Sequence, residues 1–188
     1  MKQILAWQLL ILTLSVPGYA NVQTHRVDPQ TGAETWETQA HGVTVSLTQI
    51  LPDQARAFYV NRGFPLDVTE RYATACVYMI VLRNDAAPGV VHFKQKNWLV
   101  VSAEHTEPPI RLDSWMEIWE RYDLDKPALL AFRWAQFPAE HWYEPVGDWN
   151  QGMLTTGLPA GTAFKLIARW DVAGKAYEGV INDIKCAK

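Results

Sequence analysis

Residues 164–172 read Phe164-Lys165-Leu166-Ile167-Ala168-Arg169-Trp170-Asp171-Val172, and their alternation decides the fold class. Phe164, Leu166, Ala168 and Trp170 fall on one side, and Lys165, Ile167, Arg169 and Asp171 on the other. This period of two marks a half-buried strand. The stretch Asp171-Val172-Ala173-Gly174 reverses direction, and a partner strand runs from Tyr177 toward Cys186. Two strands about a short Gly-containing turn predict a β-hairpin, and Pro159-Ala160-Gly161 leads into it.

The same signal recurs upstream. Val43, Val45 and Leu47 alternate with Thr44, Ser46 and Thr48. Residues 74–83 are apolar on both faces and rich in β-branched and aromatic side chains, as expected of a strand buried between two layers. Residues 90–93 and 98–103 predict two further strands across a polar connection, 94–97. Leu130, Phe132 and Trp134 alternate in a strand ended by Pro138. Helical spacing is read twice. Ala55, Phe58 and Tyr59 share a helical face in 53–62, with Gly63 as its C-terminal cap. Ser114-Trp115-Met116-Glu117 has the capping-box spacing and predicts a helix running to Tyr122, with Trp115 and Trp119 on its buried face.

Many strands, two short helices and no βαβ alternation predict a mainly β chain: one antiparallel β-sandwich, immunoglobulin-like, with two short helical insertions, over 41–188. Polar residues 21–40 read as a loose N-terminal arm with one edge strand near Trp36.

The composition suits one soluble domain: 188 residues, 48% hydrophobic, 20% charged. A formal charge of -3, from 17 basic and 20 acidic side chains, argues against a nucleic-acid partner, and the apolar content argues against disorder. Residues 1–20 have the layout of a secretory signal peptide: Lys2, an apolar run over 4–16, then Pro17 with small Gly18 and Ala20 before a cleavage point at Asn21. No later stretch approaches the ~20 continuous apolar residues of a membrane helix. A secreted or periplasmic protein with no stable membrane span after cleavage is expected. In an oxidising compartment the two cysteines, Cys76 and Cys186, are expected to pair as a disulfide.

Strong catalytic and cofactor motifs are absent: no GxGxxG, P-loop, GxSxG, HExxH or CxxC. His25, His41, His92, His105 and His141 are scattered without metal-ligand spacing, so no metal and no cofactor are expected. What stands out is an aromatic and acidic stretch, residues 140–150, read as a loop between two strands. Its His141, Trp142, Tyr143, Glu144, Asp148 and Trp149 are the candidate ligand- or partner-binding residues, since Trp and Tyr serve both as sugar platforms and as protein hot spots. The competing reading folds Trp142 and Trp149 inward as caps. The first functional expectation is an exported, non-catalytic protein that binds another protein or assists an envelope assembly, with an envelope protein or glycan as partner. A carbohydrate-binding module comes second. A hydrolase using carboxylates such as Glu140, Glu144 or Asp148 comes third.

Overall fold

The structure, a computed structural model, describes residues 22–188. The expected signal peptide, 1–20, and its cleavage point at Asn21 lie outside the described residues. The chain begins with β1 (Val22–Val27), β2 (Glu34–Ala40) and β3 (Val43–Gln49), followed by α1 (Pro52–Val60) and α2 (Leu66–Ala73). Next come β4 (Val77–Asn84), β5 (Val91–Lys94), β6 (Leu99–Val101) and β7 (Thr106–Glu107), then α3 (Leu112–Trp119) and α4 (Lys126–Ala135). It closes with β8 (Glu140–Tyr143), β9 (Asp148–Thr155), β10 (Ala163–Val172) and β11 (Lys175–Lys185).

Two antiparallel sheets pack face to face, a β-sandwich with helical insertions as the alternation predicts. The first sheet has the order β1-β2-β3-β4-β9, and the second runs β7-β6-β10-β5-β8, with β11 on the other side of β10. Alternate residues from each sheet fill the space between them: Trp36, Val45, Leu47, Tyr78, Ile80 and Leu82 meet Phe93, Trp98, Leu166, Ala168, Trp170 and Ile181. Each large apolar side chain withdrawn from water in this way contributes roughly 1.5 to 3 kcal/mol. The predicted hairpin is β10–β11, turning at Ala173 and Gly174, both with positive φ.

β5 and β6 are two halves of one path broken by a 3-10 turn, Gln95–Asn97. β5 pairs with β10 through Val91, His92 and Phe93, and β6 pairs with it through Leu99, Val100 and Val101. At the break the ladder is replaced by a side chain: the Trp98 indole N–H donates to the Arg169 carbonyl at 2.8 Å. The backbone leaves the ladder over 95–97 without leaving that acceptor unpaired.

Among the described residues four α-helices form, two more than the periodicity suggests. The stretch with Leu130, Phe132 and Trp134 is helix α4 rather than a strand. Pro127 suits a first helical turn, and the buried residues are Ala128 and Phe132, four apart, while Trp134 is 80% exposed. α3 begins at Leu112, so Ser114 lies within its first turn instead of capping it. Together the helices lay a second, aromatic core over the outer face of the first sheet. Tyr59, Phe64, Tyr72, Trp115, Trp119 and Phe132 pack on Val77 of β4 and Met153 of β9. Tyr72 donates to the Gln136 carbonyl oxygen, whose amide donates to the Tyr59 hydroxyl. Burial pushes both phenols up, so they stay protonated donors.

Residues 21–40 are not a loose arm where they are described: β1 and β2 form a hairpin in the first sheet, and Trp36 is core. Gln23 of β1 bonds the backbone of Asn182 in β11 through both ends of its amide, tying the sheets at one edge. The stronger tie is covalent. Cys76, just before β4, and Cys186, just after β11, form a disulfide with a Cα separation of 5.1 Å, joining the two sheets.

Candidate functional site

The stretch 140–150 is not a loop. It is β8, a four-residue turn and the start of β9, and it passes from the second sheet to the first. That crossing scatters the candidate residues. On β8, Trp142 pairs with His92 while Tyr143 pairs with Val91, and side chains alternate along a strand. Tyr143 therefore points into the sandwich, fully buried, where its hydroxyl donates to the Asn150 side chain at 2.6 Å and its carbonyl accepts from the Asn84 amide. Trp142 points out from the second sheet and is 55% exposed. On β9, Asn150 pairs with buried Leu82 and Trp149 with Arg83, so Trp149 projects from the outer face of the first sheet, 51% exposed. The two tryptophans leave the sandwich on opposite faces and form no common platform. Asp148 accepts from the Glu144 backbone N–H at 3.0 Å and shapes the turn. His141 is exposed, its ring edge-on to Tyr143.

Around Trp142 a local arrangement forms. The His92 imidazole lies flat on the indole, ring centroids 4.4 Å apart and planes 2° from parallel. His92 Nε2 is 2.6 Å from Glu140 Oε1, and Lys94 Nζ is 3.1 Å from the same oxygen. Hydrogen bonds from His92 and then Lys94 hold the Glu140 carboxyl below its usual range. The imidazole is thus pinned from one side and fixes the orientation of the indole on the other.

This cluster borders an open groove of about 890 Å³ on the outer face of the second sheet. His92 and Lys94 of β5, Lys96 and Asn97 of the 3-10 turn, Arg169 and Asp171 of β10 and Glu178 of β11 line it, while Lys175 and Tyr177, paired with inward Val172 and Trp170, reach it around the free edge of β11 beside His41. Lys96 and Asn97 line the groove together with Arg169 of β10 at the point where the strand is broken. Arg169 is paired sideways with Glu178 at 3.2 Å.

His92, Lys94, Lys96 and Arg169 escape the sequence reading. Their signal lies in the alternation of Val91-His92-Phe93-Lys94 and of Lys165, Arg169 and Asp171, which puts polar side chains on outward positions. Only the pairing of β5 with both β8 and β10 brings them together. Among the described residues no group of three or more His, Cys, Asp or Glu is arranged to hold a metal ion. No family model, no curated protein and no solved structure matches the chain.

Proposed function

We propose that the chain is an exported, non-catalytic binding protein that holds a component of the cell envelope against the outer face of its second sheet. A partner protein is the first reading. The observation that carries it is Trp142, half in water yet oriented in advance by the stacked His92. Trp is enriched among the residues that dominate binding energy where a partner buries them. Because His92 and Glu140 already hold the side chain, little rotamer entropy remains to be lost on contact. The disulfide between the sheets supports an oxidising compartment.

The groove beside Trp142 favours a second reading, a carbohydrate-binding module, since its volume lies in the range of small-ligand sites. Within the hydrolase reading Glu140 does not suit the role of general acid. A general acid needs a raised pKa, and this carboxyl is pushed the other way.

The test is Trp142→Ala in the exported protein, with envelope proteins and envelope glycans offered separately. The fold should hold, with a melting temperature close to that of the unaltered protein, while binding of the partner falls at least tenfold. A variant that keeps every partner at unaltered affinity would overturn the reading.

A further inference from the structure

We infer that the groove on the second sheet takes an acidic oligosaccharide, with Lys96 and Lys175 meeting its charged groups and the His92–Trp142 stack meeting a sugar face. This rests on the binding-protein reading and names a ligand for its carbohydrate-binding form.

Charge points to an anion. Four cations line the groove, Lys94, Lys96 and Arg169 on its face and Lys175 at its edge, against Asp171 and Glu178, with Glu140 at the border on His92 and Lys94, so one positive charge is in excess. The chain as a whole carries a formal charge of -3, so this is a local reversal of sign. Lys94 is drawn to Glu140 on one flank and Arg169 to Glu178 on the other. Asp171 accepts from the Gly174 backbone N–H in the hairpin turn. Lys96 and Lys175 have no ion pair among the described residues, and Lys175 instead sits over the Tyr177 ring at 5.1 Å. The neighbouring hollow beyond Lys94 and Lys96 adds Arg111 and Arg133 but also Asp113, Glu117, Glu120 and Glu140, so the excess of positive charge belongs to the first groove.

The class of anion follows from what surrounds the cations. Glu140, Asp171 and Glu178 are interspersed with them and would repel an uninterrupted polyanion such as nucleic acid. The same carboxylates accept hydrogen bonds from hydroxyl groups. An acidic sugar chain brings both: spaced anionic groups for the lysines and many hydroxyls for the carboxylates. It also brings apolar C–H faces, which suit the flat, half-exposed Trp142 at the rim. An open groove floored by strands accommodates a chain passing through.

The experiment is calorimetric titration of the exported protein with tetragalacturonate, its methyl-esterified form, a phosphate-bearing oligosaccharide and hexaglutamate. At least one of the two acidic sugars should bind, with affinity falling in 0.5 M salt. For tetragalacturonate, esterification should cost about tenfold by removing charge from the same sugar backbone. Lys96→Glu combined with Lys175→Glu should weaken binding about tenfold or more; both side chains are exposed, and an unchanged melting curve would show that the fold is kept. Trp142→Ala should weaken it as well. Failure of both acidic sugars to bind, equal binding of the ester, or equal binding of hexaglutamate would overturn the assignment. If the sugars fail while a Trp142-dependent envelope partner still binds, the ligand is wrong and the binding-protein reading stands. If acidic sugars bind with no dependence on Lys96, Lys175 or Trp142, this groove is not their site and the inference falls. If Trp142→Ala also leaves envelope binding unchanged, the binding-protein reading falls with it.

Discussion

The outer faces of the two sheets differ in kind. That of the first carries Val77, Met79 and Met153 at one end, and four helices cover them with Tyr59, Tyr72, Trp115 and Phe132. That of the second carries His92, Lys94, Arg169, Asp171 and Glu178 and stays open to solvent as the wall and floor of a groove. Both faces are made by the same strand alternation. What separates them is the side chain at each outward position: apolar ones there recruit a covering layer, and charged ones leave the face free to meet a ligand. The helical layer reads as a second core, and the bare face is the surface proposed for binding.

The largest effect expected is on the link between the sheets. Replacing both Cys76 and Cys186 with Ser should lower stability by about 4 to 5 kcal/mol on the chain-entropy model, read by urea denaturation at matched concentration. A loss below about 1 kcal/mol would mean that the shared core alone holds the two faces in place. Next comes the helical layer. Phe132→Ala should cost about 3 to 5 kcal/mol by emptying the centre of that second core. Trp134→Ala, two residues away on the exposed side of the same helix, should stay within about 0.5 kcal/mol. Equal losses at the two positions would contradict the division of α4 into a buried and an exposed side.

Gly152→Ala probes where the covering layer joins the sheet. A Cβ there would lie 2.4 Å from the Phe137 backbone nitrogen, which itself donates to the Met153 carbonyl. The overpacking should cost about 1 to 3 kcal/mol, measured by thermal melting. Smaller still are the two exposed tryptophans. Trp142→Ala and Trp149→Ala should each change stability by less than about 1 kcal/mol, and only the first should weaken binding at the groove. A loss of groove binding in Trp149→Ala would break the assignment of the two residues to opposite faces.

The smallest effect concerns pH. Glu140 has its pKa lowered by His92 and Lys94, so its contribution is complete when the carboxylate is ionised at neutral pH. The contribution is lost as pH falls through the depressed value, below the ordinary carboxylate range. Glu140 is exposed, so the change should show in the Trp142 environment rather than in global stability. A fluorescence difference between the unaltered protein and Trp142→Phe should shift on acidification, and Glu140→Gln should remove the shift.

How much of this was legible in the sequence depends on distance along the chain. The β10–β11 hairpin, the buried strand around Tyr78 and Ile80, and the burial of Trp115 and Trp119 follow from local alternation and turn chemistry. The cysteine pairing follows from composition and expected compartment. α4 has the look of a strand because Leu130, Phe132 and Trp134 satisfy a period of two by coincidence. The helical face that is buried, Ala128 and Phe132, is visible only once there is an aromatic layer for it to face. β1 reads as loose because its six exposed residues gain order only from pairing with β2. The site was the least legible part. Trp142 stood out as an aromatic, but local pattern gave no sign that β8 and β9 belong to different sheets, which sends Trp142 and Trp149 to opposite faces. The groove needs His92, Lys94, Arg169 and Lys175 from β5, β10 and β11 side by side. The sequence by itself determined which residues alternate and where short-range turns fall, because those depend on neighbours a few positions apart. Only the tertiary structure decided which strands lie together, since that pairing is settled by packing between segments distant in the chain.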